Sequence, residues 1–419
     1  MALLAKKDGV LRVLHTSDWH LGKRLYHQNR YDEFDAFLRW LLDTINNNCV
    51  DVLLVAGDVF DTMTPSHRAQ ELYYQFLAQV ARSHCRHVIF IAGNHDSPSF
   101  LEAPKTLLHA LNIHVVGAVS DDPTDELLVL YDKQRPIAIV AAVPYLRDKD
   151  IRGSDFGSSN SQKEQQTTCA VARHYQTLAR LAQEAQQQLQ SDHQTTVPII
   201  ATGHLFVAGC HASSGDDGMR ELYVGTLGRI SADVFDACFD YVALGHIHAP
   251  QQIGTHAHIR YSGSPIAMGF GEANKAKQVL IVDFNGQTPS ISPLAVPVFQ
   301  KLARISGDWQ AIKDALTHLL EQQQSVWVEI VYTGKTLEPN LTGHIYQLLA
   351  NTQVQALNVQ NKTLYQQSLG QTQLGDTLKH LSVTDVFLRL LEQHAIDTDE
   401  KTALTHAYQT LLTQLYDSD

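Results

Sequence analysis

One local design recurs five times along this chain and decides most of what it can fold into. A short, nearly all-apolar run ends in a small residue, and an aspartate, asparagine or histidine follows at once. Leu11-Arg12-Val13-Leu14-His15-Thr16 leads to Asp18 and His20, and Val52-Leu53-Leu54-Val55-Ala56-Gly57 leads to Asp58. His87-Val88-Ile89-Phe90-Ile91-Ala92-Gly93 leads to Asn94, His95 and Asp96. Val197-Pro198-Ile199-Ile200-Ala201-Thr202-Gly203 leads to His204, and Tyr241-Val242-Ala243-Leu244-Gly245 leads to His246 and His248. Runs without polar alternation are expected of strands buried on both faces. Between the first three lie helical stripes, Phe34, Phe37, Leu38, Leu41, Leu42 and Ile45, then Leu72, Phe76, Leu77 and Val80. Strand, helix, strand, helix, strand predicts right-handed crossovers and parallel strands. All five ligand clusters then emerge at the carboxyl edge, where α/β proteins place their sites. In an extended chain residues two apart share a side, so Asp18 and His20 are expected to face one object together. Glycine before a ligand is expected to allow a sharp turn and to keep space open.

Asp18, His20, Asp58, Asn94, His204, His246 and His248 make seven candidate ligands, all oxygen or imidazole donors. Without cysteine, such a set favours Mn²⁺, Fe²⁺ or Zn²⁺ over softer ions. Seven donors exceed one tetrahedral site but suit two metals if one carboxylate bridges them. Two metals ~3.5–4 Å apart are a known arrangement for phosphoester hydrolysis. A lone D-x-H or G-H-x-H is weak, because surface and core histidines are common; five such elements, each at the end of a strand, are not a coincidence of composition.

At 419 residues the chain is too long for one ordinary core, so two or three domains are expected. A net charge of −12 argues against a free-standing nucleic-acid binder unless bound cations or a partner supply positive surface. Five scattered cysteines with no CxxC pair suggest reduced thiols in a cytoplasmic protein. No apolar run approaches the ~20 residues that cross a bilayer, and the first residues carry no export signal, so no membrane is expected.

The motifs D-x-H, GD, GNHD, GH and GHxH, in this order, resemble the calcineurin-like metallophosphoesterases. "LHTSDWHLG", "VAGDVFD", "AGNHDS", "IATGHL", "YVALGHIH" and "RYSGSPIAMGF" most resemble the branch whose members are nuclease subunits working beside an SMC-like ATPase. The likeness spans residues 10 to 285 and continues more weakly to the C-terminus. It implies an α/β sandwich of two mixed sheets flanked by helices, followed by a small α/β cap domain and a C-terminal helical pair. It implies two Mn²⁺ ions, one held by Asp18, His20, Asp58 and His248, the other by Asp58, Asn94, His204 and His246. His95 would be the catalytic histidine that assists the leaving group. Implied substrates are double-stranded DNA ends and hairpins, cut exonucleolytically and endonucleolytically in repair and recombination. Implied partners are the ATPase subunit and a second copy of the chain, formed into a homodimer within a heterotetramer through helices near residues 66 to 110. Where relatives often carry a phosphate-binding histidine after GDVF, this chain has Asp61, read here as a partner of a ligand or as a loop cap.

Asp96 could orient His95 from behind or cap the helix before Ser97-Pro98. Lys23, Arg24, Tyr26 and Arg30 follow the first motif and are candidate DNA contacts, although a solvated loop explains them equally. The 209–220 loop, with His211, is rich in turn formers and gets no role. The nuclease domain is drawn as residues 1–285, and Pro289, Pro293 and Pro297 mark a linker or a strand at a sheet edge. A cap over 296–375 has the pattern strand (298–306), helix (309–323), strand (326–332), helix (338–350), strand (354–360). Residues 378–419 read as a pair of amphipathic helices, starting at a capping box over 382–385, that dock on their own protein or on a partner; the resemblance implies the ATPase. Two rivals remain. One is a phosphodiesterase or phosphatase acting on a small molecule or phosphoprotein with the same ligands. The other is a scaffold that has lost catalysis, which the complete ligand set opposes.

Overall fold

The computed structural model describes residues 6–147, 150, 160–208, 230–336, 338, 340–362 and five positions between 401 and 408. The 209–220 loop with His211, and the proposed C-terminal helix pair apart from those five positions, lie outside the described residues. The chain divides into two compact units. The larger is Met1–Arg304 with Gln323–Glu329 and Thr352–Asn358; the smaller includes Ile305–Gln322 and Ile330–Asn351.

In chain order the elements begin with β1 (Leu11–Thr16), the short β2 (Arg24–Leu25) and β3 (Gln28–Asn29), and α1 (Tyr31–Asn47). Next come β4 (Val52–Ala56), α2 (His67–Val80), β5 (His87–Ile91), α3 (Pro98–Glu102), α4 (Lys105–His109) and β6 (Ile113–Val116). β7 (Leu127–Asp132), β8 (Arg135–Ala141), α5 (Asn160–His193), β9 (Ile199–His204) and β10 (Tyr241–Gly245) follow. β11 (Gln251–Ile253), β12 (His256–Tyr261), β13 (Gln278–Asn285) and β14 (Thr288–Ala295) complete the large sheets. The last elements are β15 (Lys301–Gly307), α6 (Trp309–Glu321), β16 (Val326–Tyr332), α7 (Leu341–Leu349) and β17 (Val354–Asn361).

Two six-stranded sheets form the body, in the orders β14-β13-β1-β4-β5-β6 and β11-β12-β10-β9-β8-β7. Both are mixed: β1, β4, β5 and β6 run parallel, β13 antiparallel to β1. In the other sheet β8, β9, β10 and β12 run parallel, with β7 antiparallel to β8. Alternation along each strand builds three apolar layers. Val13, Leu54, Ala56, Ile89 and Ile91 of one sheet pack with Ala138, Val140, Ile200, Tyr241 and Ala243 of the other. Leu14, Leu53, Val55 and Phe90 turn the opposite way, onto Phe34, Phe37, Leu41, Leu72 and Phe76 of α1 and α2. On the far side Ile139, Ile199 and Val242 meet Val171, Tyr175, Leu178 and Ala182 of α5. The strands are buried on both faces, which is why their sequences show no polar alternation.

β14 extends the first sheet ten residues beyond 285, where the sequence analysis ended the nuclease domain. It is the edge strand of its sheet, the one place where Pro289 and Pro293 cost no ladder hydrogen bond inside the sheet. β15, β16 and β17 form a three-stranded sheet. Ile312 and Leu316 of α6, and Leu341, Ile345 and Leu349 of α7, are buried. Among the described residues no helix is long and apolar enough to cross a membrane. Cys49, Cys85, Cys169 and Cys238 are free thiols.

Candidate metal centre

Five of the parallel strands, β1, β4, β5, β9 and β10, deliver the candidate ligands at one edge. β9 ends on His204 itself, and Gly245 of β10 lies in register with it, so His246 starts one step beyond. Gly57, with φ of 86°, turns the chain at the end of β4. Gly93 and Gly245 are required for a different reason: a Cβ on Gly93 would lie 2.1 Å from Asp58 Oδ1, and one on Gly245 would lie 1.8 Å from the Ala56 carbonyl oxygen. At Gly245 the two sheets approach too closely for a side chain, and at Gly93 the neighbouring strand ends of one sheet do.

Asp18, His20, Asp58 and His246 have φ of 55°, 48°, 50° and 93°. Non-glycine residues rarely adopt this left-handed region, and clusters of them mark sites where position outweighs backbone comfort. The extended geometry expected for Asp18 and His20 is therefore not what brings them together. β1 stops at Thr16, and two left-handed residues aim both side chains inward while Trp19 between them turns into the core, fully buried.

The side chains converge. His20 Nε2 is 3.1 Å from His248 Nε2 and 3.6 Å from Asp58 Oδ2. His204 Nε2 lies 3.3 Å from Asp58 Oδ2 and 3.1 Å from Asn94 Oδ1. His246 Nδ1 is 3.0 Å from the same Asn94 oxygen. Asp18, His20 and His248 offer donor atoms within 4.8 Å of one another, as do Asp18, Asp58 and His204. Asp58 Oδ2 reaches toward both halves. The carboxylates are fixed by backbone: the His95 N–H donates to Asp58 Oδ1 (2.9 Å) and the His246 N–H to Asp18 Oδ1 (2.9 Å). Ser17 Oγ donates to Asp18 Oδ2 and sits 2.8 Å from Ser262 Oγ. Tyr261 grips the chain after His204, donating to the Leu205 carbonyl (2.6 Å) and accepting from the Val207 N–H (3.0 Å).

Burial raises the Asp18 carboxyl, and the charge of Asp58 adds to that against the pull of His204 and His20. Burial would raise Asp58 too, but His204, His20 and His95 outweigh it and hold its carboxylate well below the usual range. Burial disfavours a charge on His204, yet Asp58 and Asp18 push it up to about 9. Burial and the neighbouring His204 bring His246 down to about 3. Two buried carboxylates, an amide oxygen and four inward imidazoles with these opposed preferences fit a pair of divalent cations, the charges that such donors balance.

Residues 11–250 match the family described as calcineurin-like phosphoesterase, and residues 298–395 match the family described as type 5 capsule protein repressor C-terminal domain. The chain is 37% identical over 405 residues to the SbcD subunit of the nuclease SbcCD from Escherichia coli K12, covering 96% of this chain and 98% of the relative. The SbcD subunit of Rhodobacter capsulatus is 36% identical over 69% of this chain and 70% of the relative. That of Bacillus subtilis is 34% identical over 65% and 66%. The chain belongs to the SbcD family of calcineurin-like phosphoesterases. It is a metal-dependent phosphoester hydrolase, and the mixed-sheet sandwich is that family's fold.

Within this SbcD-type site some expectations need correction. Asp96 does not orient His95. Its carboxylate, fully buried, accepts from the N–H groups of Gly93 (2.8 Å), Phe60 (2.9 Å) and Val59 (3.1 Å), and so ties the Asp58 loop to the Asn94 loop. Burial and the Asp58 charge, working against those bonds, push it up to about 6. Nor does Asp96 cap α3: Ser97 does. His95 is held instead by the Asp61 carbonyl, to which its Nδ1 donates at 2.8 Å. The Asp61 side chain lies 3.3 Å from His20 Nδ1, unaligned for a hydrogen bond, and accepts from Lys23 Nζ at 3.1 Å. Arg30 is no DNA contact. It is 1% exposed, donates to Glu33 (2.8 Å) and to the Ala267 carbonyl (2.7 Å), and braces the chain behind the site. Tyr26 donates to the buried Glu329 at 2.6 Å. Arg24 is exposed, its guanidinium donating to the nearby His27 carbonyl (3.2 Å). The reading of the sequence missed Ser17, Tyr261 and Ser262 as braces. "RYSGSP" was a family likeness without a role, because a hydroxyl that supports a ligand has no spacing rule.

Proposed function

We propose that this chain is the DNA-cutting subunit of a two-component machine, hydrolysing phosphodiesters at double-stranded ends and in hairpins beside an SbcC-like, SMC-type ATPase. The observation that carries this reading is the convergence of Asp18, His20, Asp58, His204 and His248, with Asn94 and His246 beside His204, from five strand ends, in a family whose relatives are named nuclease subunits. In this reading Asp18, His20, Asp58 and His248 hold one cation, and Asp58, Asn94, His204 and His246 the other, with Mn²⁺ the preferred ion. Bound divalent cations supply Lewis acidity, making water nucleophilic at neutral pH and neutralising charge on the phosphate oxygens.

The chain's own residues do the rest. Asp58 faces both ligand sets, so a shift of its loop would disturb both at once. Asp96 prevents that shift. His95 is oriented by its Nδ1–H bond to the Asp61 carbonyl and packs edge-on against the His20 ring, 4.9 Å away. In this reading the His95 side chain acts as a hydrogen-bond donor to the departing oxygen. Lys23 and the exposed Arg24 remain the candidate contacts to the DNA backbone. The net charge of −12 makes cations and a partner the main source of positive field. The C-terminal segment 378–419 is assigned to the ATPase, the 296–375 region to selection of DNA shape, and the working assembly is a homodimer within a heterotetramer in the cytoplasm.

The test is a comparison of substrates. The purified chain, with and without its ATPase partner, should cleave a hairpin oligonucleotide far faster in Mn²⁺ than in Mg²⁺. Efficient turnover of bis-p-nitrophenyl phosphate with no cleavage of the hairpin would move the assignment to a small-molecule phosphodiesterase.

A further inference from the structure

The stretch after "RYSGSP" holds a buried carboxylate that is not among the seven donors. Glu272 is 1% exposed. Its Oε2 is fully engaged, accepting from Lys277 Nζ at 2.6 Å and from the Met268 N–H at 2.9 Å. Its Oε1 is equally buried and has no hydrogen-bond partner among the described residues. That oxygen lies 3.8 Å from His248 Nδ1. Lys277, itself buried, also donates to Ser264 Oγ (2.7 Å) and to the His248 carbonyl (3.3 Å). One ammonium therefore ties the carboxylate to the backbone of His248, while the loose carboxylate oxygen points at the ring of the same residue. Buried acceptors without a donor are rare and costly, so an orphan beside a candidate ligand needs a reason.

We propose that Glu272 is a positioning residue of the metal centre. Its Oε1 would accept a hydrogen bond from the Nδ1–H of His248 when that ring serves as a ligand, and Lys277, which donates to Oε2, is the cation paired with the carboxylate. The proposal rests on the metal-centre reading given under the proposed function. Ligating imidazoles commonly donate their second N–H to a carboxylate, which fixes the tautomer and strengthens the ligand. Asp61 stands in the same relation to His20, whose Nε2 faces that of His248. His204, by contrast, has only the neutral Ala56 carbonyl behind it, at 3.0 Å. Two anions thus back one half of the centre, and removing one should weaken that half alone. The plainer alternative is that Glu272 merely holds the turn from Met268 to Lys277. Glutamine separates the two, because its amide oxygen can still accept from both while the charge facing His248 is gone.

The experiment is a Mn²⁺ titration of the metal-free full-length chain, read by electron paramagnetic resonance and calorimetry. Wild type is expected to bind two ions. Glu272→Gln is expected to lose affinity roughly ten- to a hundredfold at one ion only. A double variant, Glu272→Gln with Lys277→Met, removes the ammonium left unpaired and should show the same one-sided loss. Two ions bound with wild-type affinity by both variants would overturn the role of Glu272 and leave the metal centre standing. Equal loss at both ions, or failure of both variants to fold, would assign Glu272 to the scaffold and overturn it as well. A wild-type chain that bound no manganese would overturn the metal-centre reading itself.

Discussion

His95 and Asp58 are joined through the backbone before any substrate arrives, since the N–H of one donates to the carboxylate of the other. The His95 side chain lies near His20 and Asp61 but is not one of the seven proposed donors, so its loss should separate binding from chemistry. His95→Asn is expected to keep both ions by metal titration while cleavage of hairpin DNA falls on the order of 10²–10⁴-fold; cleavage at the wild-type rate would remove His95 from the reaction. The titrating histidines also set a pH optimum for the metal-free chain. His204, raised to about 9, contributes stability that is complete below about 6.5 and is lost as pH rises toward 9. His246, lowered to about 3, contributes stability that is lost as pH falls below about 6.5. Thermal melts in chelator should therefore peak near pH 6.5 and decline on both sides. Because a ligating histidine must be neutral, metal affinity should instead climb from pH 6.5 to 9. At this scale the seven candidate residues that the structure brings together were legible in the sequence, since they follow buried strands. Arg30 was misread because a basic residue in a loop looks the same whether it faces solvent or a buried glutamate. Glu272 was invisible because it acts from a turn that has no periodicity.

Elements matter here through what they aim. Trp19 separates two ligands and anchors them: its Nε1 donates to Thr16 Oγ1 (3.1 Å), and its ring meets Phe37, Phe76 and Phe90 edge-on at 5.8, 5.5 and 5.6 Å. Trp19→Ala should cost about 3–5 kcal/mol in denaturant unfolding and lower metal affinity as Asp18 and His20 lose their anchor. Unfolding at the wild-type denaturant concentration would mean the aromatic cluster does not hold the loop. The five strands and the helices between them were readable from apolar runs and stripes. The strand–helix–strand–helix–strand order after residue 298 was too, with β15 to β17 within a few residues of expectation. What failed was the route by which Asp18 and His20 converge, because left-handed residues leave no mark in hydrophobic patterning; Pro289 and Pro293 left a linker and an edge strand both open, and they lie in the edge strand β14.

For the whole molecule, the long helix α5, the two sheets and helices α1 and α2 form a layered scaffold that uses its apolar surface internally. The sequence of residues 378–419 carries apolar stripes with a different proposed destination, the ATPase. Deleting 378–419 is expected to abolish co-purification with that ATPase while two manganese ions still bind; unchanged co-purification would place the partner surface elsewhere. The fold was legible because buried parallel strands and their crossovers allow few topologies. Assembly was not, because a surface that binds a partner and one that binds solvent can carry the same residues.

The central claim is that two cations share the Asp58 carboxylate where the strands of both sheets end. Anomalous diffraction from manganese-soaked crystals tests it most directly. Two peaks ~3.5–4 Å apart, one beside His20 and His248 and the other beside Asn94, His204 and His246, are the expected result. A single peak, or peaks away from Asp58, would contradict it.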